Sequence, residues 1–330
     1  MLGYIVGRLA QALAVMLAVA LVAFLLFNYV GDPINNMVGQ EATTMDRQEL
    51  RDQLGLDDPA PVQFARFLGN AIQGNFGLSY RMKRPVAALI QERLPATLEL
   101  VFLSALASLV VGLPLGVYTA LRRDSWFSRV VLTTSLIGVS LPTFVIGIGL
   151  IYLLSVQFDL LPSFGRGQVV SLGWWTTGFL TKSGWAAIVM PAITLSLYQL
   201  TLVLRLVRTE MMEVLRTDYI KFARARGLSN RVVHFRHALK NTMMPVVTIV
   251  GLQIGGLIAF SIVTETVFQW PGMGLLFIQA VGFADIPVMA AYLVLVGAMF
   301  VVLNLMVDLA YFVIDPRLRV DRAKAAGKAT

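Results

Sequence analysis

The sequence contains no cysteine and only two histidines, His234 and His237. Disulfides, thiol nucleophiles and cysteine-ligated metals are excluded, and two imidazoles with no third ligand nearby make a poor metal site. Charge is scarce as well. Asp, Glu, Lys and Arg make up 14% of the chain, against roughly 25% in an ordinary soluble domain, which excludes a soluble globular protein. Several signatures of chemistry are also missing: there is no Gly-x4-Gly-Lys-Ser/Thr loop, no His-Glu-x-x-His, no Gly-x-Ser-x-Gly and no Gly-x-Gly-Asp. Neither ATP hydrolysis nor intramembrane hydrolysis by this chain is expected.

Long uncharged stretches are what the sequence has instead. Apolar residues form 57% of it, and six windows carry no charge at all: Leu9–Gly31, Leu100–Leu121, Val130–Phe158, Ser183–Leu204, Asn241–Thr264 and Ile286–Val307. Each is at least as long as the ~20 residues that cross the hydrocarbon as a helix. The expectation is an all-α polytopic membrane protein with six transmembrane helices. Residues 1–31 form the first, 32–99 an extracytoplasmic loop with short helices, and 100–330 a core of five more with a long cytoplasmic loop at 209–240. Ala18-Val19-Ala20 has the small-x-small form of a signal-peptide cleavage site, but apolar residues continue to Val30, so the first span is read as uncleaved.

The net charge of +8 is distributed in a way that orients these spans. With the amino terminus inside, 18 Lys and Arg lie on the inner side and 2, Arg166 and Lys182, in the short outer loops. That bias places both termini in the cytoplasm and makes nucleic-acid binding unnecessary to explain the basic balance.

Local signals divide the rest. Thr44 caps a short helix ending at Gly55, a second helix carries Phe64, Phe67, Leu68 and Ile72 on one face, and a third, Val86 to Leu94, is bracketed by Pro85 and Pro95. Trp174, Trp175 and Trp185 suit the membrane interface. Ser104, Ser108, Gly112 and Gly116 recur every four residues, and Gly251 with Gly255 repeats the pattern, so close helix packing is expected at both. Pro114, Pro142 and Pro191 imply kinks.

The segment Arg205 to Lys240 carries the sharpest signals. Thr217 or Asp218 can cap a short helix containing Tyr219, Ile220, Phe222, Ala223 and Ala225; Gly227 supplies a left-handed stop; Ser229 caps a second helix reaching Asn241. The result is a helix, a tight turn and a helix, a shape that a partner's groove can close around. A solvated basic loop is the alternative, and the residues alone leave both open.

Here the sequence resembles a known family. Asp218-Tyr219-Ile220-Lys221-Phe222-Ala223-Arg224-Ala225-Arg226-Gly227-Leu228 followed by Arg236-His237-Ala238-Leu239 is similar to the cytoplasmic signature loop of binding-protein-dependent ABC import permeases. It resembles the dipeptide, oligopeptide and nickel branch most, in its first (B-type) permease subunit. Gly31-Asp32-Pro33, Gly74-Asn75-Phe76-Gly77, Pro95-Ala96-Thr97, Glu265-Thr266-Val267-Phe268, Pro271-Gly272-Met273-Gly274 and Ile314-Asp315-Pro316-Arg317 sit where that branch has similar motifs. Ala223, Gly227 and Leu239 keep the register of the wider superfamily signature, whereas Lys221, Phe222, His237 and Lys240 depart from it.

The resemblance implies a type I importer permease. Asp218, Tyr219, Ala223, Arg224, Ala225, Arg226, Gly227 and Leu228 would dock on a separate ATPase. It further implies a second homologous permease subunit, two ATPase subunits holding ATP and Mg, an extracytoplasmic binding protein, a prokaryotic inner membrane, and no cofactor on this chain. Short peptides are the implied substrate, with nickel complexes, glutathione or opines as alternatives. Gln253, Thr264 and Glu265 are candidate lining residues of a translocation path, or else inter-helix hydrogen-bonding groups. Asp308 is taken as the one charge well inside a span, with Arg205 as its candidate ion-pair partner. An ion-coupled secondary transporter is the competing class, but no internal repeat and no midplane charge supports it.

Overall fold

The computed structural model describes the backbone of residues 2–29 and 58–314, and side chains within 6–26 and 58–307. The Thr44–Gly55 helix, Gly31-Asp32-Pro33, Asp315 to Arg317 and the side chain of Asp308 lie outside these described residues.

Helices dominate. They are α1 (Leu2–Tyr29), α2 (Ala60–Ile72), α3 (Val86–Leu121), α4 (Trp126–Ser140), α5 (Thr143–Gln157), α6 (Lys182–Val214), α7 (Asp218–Ala225), α8 (Val232–Val267), α9 (Met273–Gly282) and α10 (Ile286–Ile314). Five of them, α1, α3, α6, α8 and α10, are long and apolar enough to cross a membrane alone. The third uncharged window is not one straight rod. It is the pair α4 and α5, bent by 109° where Leu141 turns extended ahead of Pro142. Proline disfavours helical backbone at the residue before it, so the chain breaks here more sharply than a kink. Counted as one broken span, the pair makes the sixth. Pro114 and Pro191 stay inside continuous helices.

Two boundaries differ from the sequence reading. The short helix expected to stop at Leu94 runs straight through Pro95, so α3 has 36 residues and is about 54 Å long. Leu89 below the proline and Ala96 and Leu100 above it are all buried. Packing on both sides thus holds the helix across one missing backbone bond. The helix expected to reach Asn241 likewise does not stop, and continues as the fifth span to Val267. A short antiparallel ribbon, β1 (Val170–Leu172) with β2 (Trp175–Thr177), precedes α6.

The small-residue stripe of α3 faces α6, and Ser104, Ser108, Gly112 and Gly116 are all buried. A Cβ on Gly112 would lie 3.0 Å from Val203 Cγ1, and one on Gly116 only 2.7 Å from Val207 Cβ and 2.8 Å from the Leu204 carbonyl oxygen. The two backbones therefore approach more closely than any larger side chain permits. Gly251 and Gly255 do the same between α8 and α10, where Cβ atoms would meet Val307 and Phe300. On the flank, α1 packs on α10, and α2 lies against α1 through Phe64 and Phe67, whose rings stand 5.3 and 6.0 Å from that of Phe24.

Candidate functional site

At one end of the bundle, α7 is built as the sequence suggests. Thr217 precedes the helix in extended conformation, although its hydroxyl donates back to Val214 O (2.6 Å) instead of accepting from the helix start. At the other terminus Gly227 adopts φ +75°, where its N–H donates to Arg224 O at 2.9 Å and that of Leu228 to Ala223 O at 3.4 Å. This is the paired closure of a helix end that needs a left-handed residue, and glycine alone takes it without cost. The chain re-enters helix at Asn230, with Val233 N–H bonded to Ser229 O (3.0 Å).

The eight residues of α7 present two faces. Ile220 and Ala223 are buried in a cluster with Val117 and Ala120 of α3, Val203, Val207 and Met211 of α6, and Val233, Ala238 and Val246 of α8. The helix is thereby wedged against the ends of the three principal spans. Ala223, expected to touch another protein, is instead part of this seat, 6% exposed. Phe222 points the other way, 64% exposed, with the Arg226 guanidinium 5.8 Å from its ring centre. Tyr219, Leu228 and Phe235 are exposed too, as are Asp218, Arg224, Ala225 and Arg226. Tyr219 is fixed by a 2.6 Å bond from Asn241 Nδ2, and Lys221 pairs with Asp218 at 2.8 Å. Apolar rings held out beside the six Arg and Lys from Arg216 to Arg236 are not lipid-facing in character. Rings set among cations are the composition of a protein-binding face.

Roughly 35 Å back along α3, the remaining motifs converge. Glu265 of α8 is fully buried and accepts from Thr97 Oγ1 (2.6 Å) and Leu275 N (3.0 Å). Thr97 Oγ1 in turn accepts from Met273 N (2.7 Å), and Trp270 Nε1 donates to Ala96 O (2.9 Å). Gly272 leaves the space: a Cβ there would lie 2.5 Å from the Glu265 carboxyl carbon. Three sequence motifs thus form one clamp tying α3, α8 and α9 together. Glu265 and Thr264, 0% and 1% exposed, therefore line no route on this subunit's surface. The carboxylate and hydroxyl both face inward, as inter-helix hydrogen-bonding groups do. Gln253 is half-buried.

Beside the clamp, Arg166 Nη2 bridges Glu99 Oε2 and Thr176 O, each at 2.6 Å, and its Nη1 meets Thr176 Oγ1 at 3.0 Å. Both charged side chains are almost completely buried. The sequence reading missed this pair because Glu99 falls at the edge of an uncharged window and Arg166 reads as a loop charge. Asp308 is consequently not the one charge set inside a helix, since Glu99 and Glu265 are as well. Arg205 is exposed on α6, and a pairing with Asp308 lies outside the described side chains. Asp285, also unflagged, accepts from Ser79 Oγ and from Tyr80 N (3.0 Å), pinning the turn after Gly77 to the start of α10.

With this geometry in place, comparison with known proteins is specific. The family of binding-protein-dependent transport system inner membrane components matches residues 112–320, and its N-terminal counterpart matches residues 1–101. A dipeptide transport system permease protein of Alkalihalophilus pseudofirmus is 33% identical, the alignment covering 97% of this chain and 100% of that one. A probable peptide ABC transporter permease of Sinorhizobium fredii is 38% identical over 96% of this chain and 99% of its own. The glutathione transport system permease of Escherichia coli K12 is 36% identical, with 97% and 99% covered. Among solved structures, the inward-facing MetNI methionine ABC transporter shares the fold, with a TM-score of 0.55 at 21% identity, covering 69% of this chain and 96% of that one.

Proposed function

The chain belongs to the binding-protein-dependent transport system inner membrane components and is a permease subunit of an ABC importer; we propose that it carries short peptides and is driven through α7 by separate ATPase subunits. The observation that carries the reading is the division of α7. Its inner residues Ile220 and Ala223 grip α3, α6 and α8, while Phe222, Tyr219 and Leu228 face outward. A displacement of α7 by a closing ATPase pair would pass directly to the ends of those three spans, and a packed seat of this kind moves as a body.

The charge bias of the loops supports a cytoplasmic location for this end and for both termini, with the Glu265 clamp toward the outside. A second permease subunit and a binding protein complete the machine, ATP and Mg reside on the ATPases, and the membrane is the prokaryotic inner membrane. Peptides are favoured as cargo by the dipeptide and peptide relatives, and the glutathione permease, whose named cargo is itself a small peptide, fits the same class.

Growth of a deletion strain on dipeptides as the source of a required amino acid tests the cargo: loss restored by the wild-type gene supports it, and unimpaired growth overturns it. Because the chain has no cysteine, Asn230→Cys supplies a single thiol for sidedness. Labelling only after the cytoplasmic face is opened supports the orientation, and labelling of intact cells reverses it.

A further inference from the structure

Beside α7 lies a cleft of about 380 Å³ whose lining shares only Arg224 with the residues expected to dock on an ATPase. Its walls are the end of α3, the turn into α4, the end of α6 and the outer edge of α7. Arg123, Arg216 and Arg224 converge on it from three different segments, and Asp124 is its one acidic lining residue. Asp124 is engaged by its neighbour Arg123 at 3.4 Å, in an exposed geometry that neutralises little. Among the described residues no ion pair includes Arg216 or Arg224. Leu121, Met212 and Leu215 add apolar side chains to its lining.

The depth of the cleft is set by its neighbours. Trp126 is 73% exposed, Phe127 and Tyr118 are partly so, and the three rings stack edge to face at 5.3 and 6.0 Å. Exposed aromatic rings at the end of an apolar span mark the headgroup level. Arg129 is exposed one turn further on. A basic pocket between span ends, at headgroup depth and with apolar side chains in its lining, has the chemistry of a lipid phosphate site. A free phosphate ion uses the three guanidinium groups but not the apolar side chains, whereas a phosphodiester on glycerol uses both.

We propose that this cleft binds the headgroup phosphate of one anionic phospholipid, held by Arg123, Arg216 and Arg224. Arg224 belongs to both the cleft and α7, so an occupied site ties the elbow to the membrane surface. The proposal rests on the membrane-spanning reading of the helices but not on the cargo or on which side α7 faces.

The test uses the complete transporter purified in detergent, with phosphatidylglycerol and chain-matched phosphatidylcholine as probes and bound lipid read by native mass spectrometry. Wild type is expected to retain phosphatidylglycerol preferentially, even against a large excess of inorganic phosphate. Arg123→Gln with Arg216→Gln should lower that retention about fivefold per arginine, the contribution of one basic residue at an anionic surface, with phosphatidylcholine unchanged. Arg123→Lys with Arg216→Lys, which preserves charge and serves as the check on folding, should keep most of it. Equal retention of the two lipids by wild type, or no loss in the Gln pair, overturns the proposal. Displacement by inorganic phosphate assigns the site to a free anion and overturns the lipid assignment. Retention by the permeases alone that vanishes once the ATPases are added shows a protein interface and overturns it as well. Sidedness and cargo fail separately, in the thiol-labelling and growth assays.

Discussion

Thr97 and Glu265, 168 residues apart in sequence, are joined by a 2.6 Å hydrogen bond at the centre of the clamp that binds α3 to α8. The threonine hydroxyl donates to the carboxylate while accepting from Met273 N, and the carboxylate also receives Leu275 N. Removing one partner leaves buried donors unpaired, at about 1–3 kcal/mol for each.

Glu265→Ala and Thr97→Val are therefore expected to lower the thermal midpoint of the purified subunit, the former more because it orphans at least two donors, Thr97 Oγ1 and Leu275 N. Glu265→Gln, which keeps the volume, should fall between wild type and Glu265→Ala. Uptake per folded molecule should survive in Thr97→Val. A normal midpoint with lost uptake would instead place Glu265 on the transport path.

The Arg166–Glu99 pair makes a separate prediction. Taking away one charge leaves the other buried, at a cost of about 3–5 kcal/mol. Arg166→Gln and Glu99→Gln should each destabilise strongly, while the double variant should cost much less than their sum. Strict additivity in denaturation of the four proteins would show that the pair contributes no coupling.

Glycine contacts give a graded test of the α3–α6 seam. A Cβ meets its nearest side chain at 3.0 Å from Gly112 but at 2.7 Å from Gly116, and the facing backbone carbonyl, Leu200 O or Leu204 O, stands at 3.2 Å in the first case and 2.8 Å in the second. Gly116→Ala should cost about 1–3 kcal/mol by overpacking, and Gly112→Ala less, because Val203 can shift. Gly69→Ala on α2, where a Cβ meets nothing within 4 Å, should be neutral or slightly stabilising. Equal effects at the three sites would refute the close approach.

Much of this arrangement was legible in the residues. The uncharged windows located the spans, the four-residue spacing from Ser104 to Gly116 located the α3–α6 seam, and Gly227 located the stop of α7. Pro142 marked a kink, but hydropathy does not encode direction, so the 109° sharpness of the turn was not legible within one apolar window. Pro95 misled because a proline's local penalty says nothing about the packing that outweighs it. The inward aim of Glu265, the Glu99–Arg166 pair and the hold of Asp285 on Ser79 and Tyr80 join segments far apart in sequence, where no local period can report them. The burial of Ala223 was not legible for a related reason: its small size suits a seat within the chain as well as one between chains.

The account stands on α7 as the point where force enters. Phe222 is 64% exposed and contributes nothing to the buried cluster, whereas Ala223 sits within it. Phe222→Asp should therefore leave the permease folded, while Ala223→Glu should unseat the helix itself. Gly227→Val meets no steric obstacle but is strained at φ +75°, by about 1–3 kcal/mol, and should fall between the two. The most direct measurement is co-purification of the ATPase subunits with tagged Phe222→Asp permease, alongside its thermal midpoint and ATP-driven uptake. A normal midpoint, retention of the second permease and loss of both the ATPases and uptake are predicted. Full ATPase retention with wild-type uptake would contradict the assignment of α7 as the coupling helix.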